Sequence, residues 1–436
     1  MVEGLKNSGT KGKFLPKVLA GVAVVSLLLP AITMTATAAT KHKKVPAPIK
    51  VMTIDTENAP INDHPELGVT ARVYAKYINA HGGIGGHKLL VTVCNDQNTA
   101  TQAAICAEQA VSNKDVAVVG SISLVGDSAI IPILQQAKIA WFGDPVAAFP
   151  EDLTSPVSYS PTLIATQNAA EVALAFQNGC KNVSVILNAG GSATVLTPVF
   201  QAAAKAYGAT INQIVAVDPT AGDFTAYVTQ ALQGGTDCVA TALGTSEFAS
   251  LLPPWSASGT KAVLYTGGGQ LSPGVCQSFT AVCDGSYNLS TFLDISAPAY
   301  APYRVALAKY DAPTGPNYSY DSVQGAGAWA GWVLFGNIAA TIKGAVTGPS
   351  FLKAVRSTKA GSSDGLLPLV NFTKPWTNGP TGDTQGFMCG VTYQRLQNGQ
   401  YVQSSQRFQN ANALLLGTGK LGPKLLATSS ALACRG

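Results

Sequence analysis

The chain has 436 residues, of which 47% are hydrophobic and only 12% charged, with 44 Gly, 25 Pro and 8 Cys. So much apolar sequence in so long a chain excludes disorder, a collagen-like repeat and a small disulfide knot, and it can fill at least two sizeable cores. The net charge is +5, but the first 38 residues contribute +3 and Lys41, Lys43 and Lys44 another +3, leaving the remainder at about −1. A nucleic-acid binder carries its basic patch on the folded domain, so no nucleic-acid partner is expected.

Residues 1–17 are polar and basic, 18–33 (VLAGVAVVSLLLPAIT) are uncharged, and small residues follow at Ala36-Thr37-Ala38-Ala39. These are the parts of a secretory signal, with cleavage after Ala38 or Ala39 and a connector over 40–47; an uncleaved membrane anchor is the alternative. No Cys lies near the cleavage step to carry a lipid. Beyond it, short apolar runs alternate with helical patterns. Strands are expected at 50–55, 88–94, 115–120, 138–142, 182–187, 210–217, 236–242 and 261–266, and a helix at 66–80 with Leu67, Thr70, Tyr74, Tyr77 and Ile78 on one face. Continuous Val, Ile, Leu and Ala strands separated by helices predict parallel sheets covered on both faces, a doubly wound α/β architecture. Helices are expected at about 301–311, 318–342 and 350–357, then a Pro/Gly-rich stretch, then a hairpin of 387–395 and 400–408 about Asn398-Gly399. The tail from 411 shows no period and is expected to lie over a lobe surface or to be partly disordered.

All eight cysteines follow the leader, and an even count in an exported chain reads as disulfides. The expected pairs are Cys94–Cys106, Cys276–Cys283, Cys180–Cys238 and, by elimination, Cys389–Cys434. The third pair would enter neighbouring parallel strands at the same end. With no C-x2-C pair and no Cys/His cluster, no metal is expected, and no cofactor either.

Catalytic signatures are thin. The four histidines, His42, His64, His81 and His87, lie in the first fifth of the chain, no G-x-S-x-G elbow or P-loop occurs, and no G-x-G-x-x-G follows a strand. Open α/β sheets bind ligands outside the carboxyl ends of their strands, which points to the loops after each strand. These hold Ser121, Ser123 and Leu124; Asp144, Val146 and Ala147; Ser192 and Thr194; Gly244, Thr245 and Glu247; and Gly268. Glycine-exposed N–H groups at helix N-termini, with Ser and Thr hydroxyls, favour a carboxylate or similar anion. Equally, Ser121, Ser192 and Thr245 can be plain helix caps, Asp223 an N-cap, and Glu247 a complement to a helix dipole.

The stretch Val73-Tyr-Ala-Lys-Tyr-Ile-Asn-Ala-His-Gly-Gly-Ile-Gly-Gly-His-Lys-Leu-Leu-Val-Thr-Val-Cys-Asn-Asp-Gln97 resembles the type I periplasmic binding proteins of the leucine/isoleucine/valine-binding family. Gly222-Asp223-Phe224, Tyr320-Asp321, Gly379-Pro380, Gly382-Asp383 and Asn398-Gly399 follow in the family's order, so the resemblance covers about residues 48–408. It implies two α/β lobes joined by three crossovers near 158, 292 and 375. Lobe 1 would take 48–158 and 293–374, lobe 2 159–292 and 375–410, and the tail 411–436. The pair would close on a small polar or carboxylate-bearing solute and pass it to the permease subunits of an ABC importer, the binding protein itself being a monomer. On the family's pattern Ser121 to Leu124 and Val146 to Ala147 hold the ligand's carboxylate and amino groups, and Ser192, Gly244, Thr245 and Gly268 supply second-lobe contacts. Amino-acid binders of this kind usually carry a Thr where Ala147 stands, an aromatic ring where Ser192 stands and an acid where Gly268 stands. These departures weaken the case for a standard α-amino acid unless Asp144 or Glu247 takes over the ammonium. The competing readings are a ligand-binding receptor module for a membrane sensor and a secreted enzyme, the latter requiring His64 or the carboxylates Asp144 and Glu247 to meet in the cleft.

Overall fold

A computed structural model describes residues 46–59, 62–147, 149–315, 318–375, 385–403 and 407–430. The leader and Cys434 lie outside the described residues. Among those described, no helix is long and apolar enough to cross a membrane.

The first sheet contains β1 (Ile49–Asp55), β2 (Leu89–Asn95), β3 (Ala117–Val119), β4 (Ala140–Phe142) and β5 (Ser158–Tyr159). All pairings are parallel, in the order β2-β1-β3-β4-β5. The second is built on β6 (Val183–Asn188), β7 (Ile214–Val217), β8 (Cys238–Ala242), β9 (Val263–Gly267) and β10 (Tyr287–Ser290). It ends in the antiparallel β11 (Gly390–Gln397), β12 (Gln400–Gln403) and β13 (Gln409–Asn410). Its order is β12-β11-β10-β9-β8-β6-β7. The fold is therefore mixed α/β with parallel sheets in two lobes. Along β6, Val183, Val185 and Leu187 enter the main core while Ile186 joins a second cluster with Phe248 and Trp255. Both faces are covered, which is why the strand is apolar on both sides, with Ser184 as the internal exception.

The chain passes between the sheets three times. After β5, helix Ile164–Gln177 packs on β8, β9 and β10. After β10 the chain returns, and helix Ala301–Lys309 packs on helix Pro65–Ala80, Ala328–Ala339 on that helix and β3, and Gly348–Ser357 on β4. By β11 it is back in the second sheet. Helix Ala328–Ala339 is apolar nearly all round because it is buried nearly all round: Trp332 stacks on Tyr74 at 5.3 Å and Trp329 on Tyr303 at 4.7 Å. Its approach depends on Gly331, where a Cβ would stand 2.6 Å from the carbonyl oxygen of Gly143.

Several elements depart from the expected bounds. The helix expected over 318–342 begins as a π-helical turn at Val323–Gly327, capped by the Ser322 hydroxyl, because the chain at Gly325 lies against the Tyr320 backbone too closely for a Cβ. The second strand of the terminal hairpin is shorter than 400–408, and a separate bridge strand β13 follows it. The tail is partly in the core: Leu414 and Leu415 on a short helix, and Leu421, are buried, and Phe408 pairs with Leu426. Three expected disulfides are formed, Cys94–Cys106, Cys180–Cys238 and Cys276–Cys283.

Candidate functional site

In each sheet the strand order reverses once, beside β1 in the first and beside β6 in the second. A crevice opens outside the carboxyl ends at such a point, and a cleft of about 110 Å³ lies there, lined from both lobes. The first lobe contributes Asn62 and His64 after β1, Leu124 after β3, and Pro145, Val146 and Phe149 after β4. The second contributes Gln167 and Asn168 from helix Ile164–Gln177, Asn188 at the end of β6, Thr241 to Gly244 on β8, Ser246 and Glu247 beyond it, and Gly267 and Gln270 after β9. Ile164, Val195 and Leu196 of the second lobe, with Val323 and Gln324, complete the lining.

A hydrogen-bonded relay crosses the cleft. The Gln324 amide meets His64 Nε2 at 3.4 Å, Gln270 Nε2 donates to Gln324 Oε1 at 3.0 Å, and Thr245 Oγ1 donates to Gln270 Oε1 at 2.8 Å. Burial pushes His64 down to about 4, so the ring is neutral at pH 7 and its Nε2 can accept from Gln324. Burial also pushes Glu66 up to about 8. The 4.0 Å approach of His64 Nδ1 to Glu66 Oε1 is therefore a contact between neutral groups at pH 7, despite its ion-pair distance.

Two carboxyls lie on the second-lobe side. Glu171, fully buried, accepts from the Thr241 N–H at 3.1 Å and from Asn168 Nδ2 at 3.1 Å, and burial raises it well above the carboxylate range against those bonds. Glu247 curls back over the N-terminus of its own helix, Thr245–Ala257, so that a Cβ at Gly244 would lie 2.6 Å from Glu247 Oε2. It accepts from Ser246 Oγ at 3.0 Å and Asn188 Nδ2 at 3.5 Å. Asn168 Oδ1 and Asn188 Oδ1 are buried and have no hydrogen-bond partner.

Of the residues singled out in the sequence, Leu124, Val146, Gly244 and Glu247 line the cleft. The others stand behind it or away from it. Ser121 Oγ accepts from the Ile54 N–H at 2.9 Å, and Ser123 Oγ donates to Asp96, so both hydroxyls brace the first sheet. Asp144 is buried: its Oδ1 accepts from the Val146 N–H at 2.8 Å and the Ala147 N–H also points to it, which holds Ala147 at a φ of +34°. The N–H groups expected to receive a ligand's anion thus already serve an internal carboxyl. Thr194 is exposed and donates to the Gly190 carbonyl at 3.3 Å, and Ser192 lies in the first turn of helix Gly191–Ala206. Thr245 belongs to the relay. Gly268, at a φ of +63°, brings the exit of β9 against Val323, whose N–H donates to the Gly268 carbonyl at 2.8 Å; a Cβ there would stand 2.7 Å from the Val323 side chain. Asp223 caps, accepting from the Thr225 N–H at 2.8 Å.

Sequence reasoning passed over the amides. Asn188 stands two residues before the Gly190-Gly191 turn and Gln270 directly after Gly267-Gly268-Gly269, so each could have been found by reading the strand end together with its loop. Gln167, Asn168 and Gln324 carry no local signal. A metal centre finds little support. Cys180 and Cys238, grouped with Asp237, are joined to each other, and in the buried cluster Asp127, Asp144 and Asp152 burial raises Asp127 and Asp144 well above the carboxylate range.

No curated protein matches this sequence. Several solved structures share the fold. An extracellular ligand-binding receptor from Verminephrobacter eiseniae superposes with a TM-score of 0.70 at 15% identity, over 81% of this chain and 99% of that one. A solute-binding protein of an ABC transporter from R. palustris, in complex with 4-hydroxybenzoate, gives 0.66 at 18% identity, over 88% and 98%. The branched-chain amino acid transporter substrate-binding protein LivJ from Streptococcus pneumoniae, in complex with isoleucine, gives 0.63 at 16%, over 81% and 97%. The family that the sequence itself matches, over residues 61–389, is that of the periplasmic binding proteins, and the chain belongs to it.

Proposed function

We propose that this protein is exported, captures a small solute in the cleft between its two lobes, and delivers it to the permease of an ABC importer. The observation that carries the reading is the cleft itself, set at the carboxyl ends of both sheets and bridged by the relay from His64 through Gln324 and Gln270 to Thr245. A solute seated there touches both lobes at once, and the lobes gain closure energy from it. On this reading lobe 1 is 48–158 with 293–374 and lobe 2 is 159–292 with 375–410. Leu124, Val146, Gly244 and Glu247 meet the solute, joined by His64, Asn168, Asn188, Gln270 and Gln324. Ser121, Ser123, Asp144 and Ala147 shape the first-lobe loops from behind.

The test is a thermal-shift titration of the oxidised protein against small-molecule panels, followed by uptake of the bound compound into vesicles carrying the cognate permease and ATPase. A ligand at 100 times its Kd adds about 2.7 kcal/mol to the native state. Saturable binding, recovery of the compound unaltered and uptake that depends on the binding protein are the expected results. Binding without uptake would favour a receptor module, and consumption of the compound would favour an enzyme.

A further inference from the structure

The chemistry of the cleft lining narrows the class of solute, an argument that rests on the solute-binding reading above. Among the described residues lining the cleft there is no Lys or Arg, and the one histidine among them, His64, is neutral at pH 7. A carboxylate ligand therefore finds no cationic partner. The first-lobe backbone donors that could replace one are in use, and an acid of the chain covers the second-lobe helix start. Asp144 Oδ1 accepts the Val146 N–H at 2.8 Å, and Glu247 folds over the start of helix Thr245–Ala257. These carboxyls belong to the chain and stand at the positions an incoming anion would need.

Two residues of the cleft lining hold unused acceptors instead. Asn168 directs its amide nitrogen to Glu171 Oε1 and Asn188 directs its own to Glu247 Oε1, and each is left with a buried carbonyl oxygen that has no partner. An unpaired buried acceptor is costly, and a ligand that donates to it recovers that cost. An ionised carboxylate can only accept, so it would set acceptor against acceptor and charge against Glu247. An ammonium donates, but it would face the positive ends of the helices that begin at Ile164 and Thr245, while Glu247 is already engaged by Ser246 and Asn188.

We propose that the solute is an uncharged small molecule rich in O–H or N–H donors, such as a polyol or a primary carboxamide, recognised by Asn168 Oδ1 and Asn188 Oδ1. The first-lobe wall of Leu124, Pro145, Val146 and Phe149 would cover its apolar side.

The test is calorimetric titration of the intact, oxidised protein with matched compounds differing only in charge: nicotinamide, nicotinate and 3-picolylamine; benzamide, benzoate and benzylamine; glucose, gluconate and glucosamine. In at least one set the neutral member is expected to bind about 100-fold or more tighter than its carboxylate and ammonium counterparts. Asn188→Leu, checked for an unchanged melting midpoint without ligand, is expected to weaken that binding by about ten- to a hundredfold. Tighter binding of a carboxylate or an ammonium would overturn this proposal and leave the solute-binding reading standing. Unchanged affinity in folded Asn188→Leu would overturn the assigned contacts, and silence across all three charge classes would count against the solute-binding reading and this inference together.

Discussion

The two lobes share a strand topology around the cleft but face it with different chemistry. The first-lobe wall sets Leu124, Pro145, Val146 and Phe149 beside Asn62 and neutral His64, while the second-lobe wall carries the amides and acid of Gln167, Asn168, Asn188, Glu247 and Gln270 among apolar Ile164, Val195, Leu196, Ala242 and Leu243. The first lobe keeps its acids inside: Asp55, Asp96, Asp127, Asp144 and Asp152 are all buried behind the wall. The polar face can orient a solute, and the apolar face can close over it and exclude water, which strengthens the hydrogen bonds already made. Similar sheets thus divide the work because their loops, not their strands, differ.

The contrast can be broken most severely inside the first lobe. Trp332→Ala removes a fully buried ring that stacks on Tyr74 and packs beside Gly120. The expected cost is about 3–5 kcal/mol, read by denaturant unfolding, with hydrogen-exchange protection lost first around helix Ala328–Ala339 and β3. Equal loss in both lobes would mean that the lobes unfold as one unit.

In the second lobe the matching change is Cys180→Ser with Cys238→Ser. This bridge closes a separation of 58 residues, against 7 for Cys276–Cys283. The loop-entropy relation assigns about 4 kcal/mol to the longer loop and about 2.5 kcal/mol to the shorter. The double variant should therefore unfold at lower denaturant than Cys276→Ser with Cys283→Ser. The reverse order would show that chain entropy does not govern these bridges.

The buried acids make stability depend on pH. Asp55, buried with neither carboxyl oxygen partnered, is raised to about 9 by burial and then by the neighbouring Glu57, and Glu66 is raised to about 8 by burial. The native state holds these protons at pH values where the unfolded chain has released them. The stability they confer is full below about pH 4 and is lost as pH rises through 8 and 9. Asp127, Asp144 and Glu171, also raised, act in the same direction. His64, lowered to about 4, acts oppositely and costs stability as pH falls from 6.5 towards 4. The unfolding free energy should therefore drop between pH 6.5 and 9, by up to ~1.4 kcal/mol per pH unit for each such proton, and the melting midpoint with it. Asp55→Asn should flatten that limb; an unchanged slope would rule Asp55 out as its source.

The smallest effect belongs to the apolar wall. Leu124→Ala trims a half-buried side chain. Its expected cost is about 1 kcal/mol of solute affinity, roughly fivefold in Kd, with little change in stability. A loss as large as that of Asn188→Leu would contradict the division of labour between the walls.

Much of the frame was legible because burial on both faces leaves a strong mark on a strand. The runs Ala117–Val119 and Ala140–Phe142 are apolar throughout, and Val183–Asn188 is so but for Ser184 and its terminal Asn188, as covered parallel strands tend to be. Strand Tyr287–Ser290 was missed because its buried Asn288 looks like a loop residue. Its amide is satisfied by Gln394 across the antiparallel pair and by the Gly269 N–H, partners that no local window contains. The site was half legible for a related reason. Reading the loop after each strand reached Leu124, Val146, Gly244 and Glu247, but not which hydroxyls face inward: Ser121 and Ser123 turn to Ile54 and Asp96, more than 25 residues away in the chain.

By itself the sequence determined the alternation of strand and helix, the export-type cysteine pattern with three of its pairings, and the set of loops from which the cleft is made. These follow from local periodicity, from oxidising chemistry and from short-range spacing. The tertiary structure alone decided which polar groups remain free in the cleft. Asp144 takes up the Val146 N–H, Glu247 takes up the Ser246 hydroxyl and the Asn188 amide, Asn168 and Asn188 are left with unpaired oxygens, and Gln324 meets Gln270 across the two lobes. Hydrogen-bond supply is balanced in space between segments brought together by folding, and no stretch of sequence records that balance.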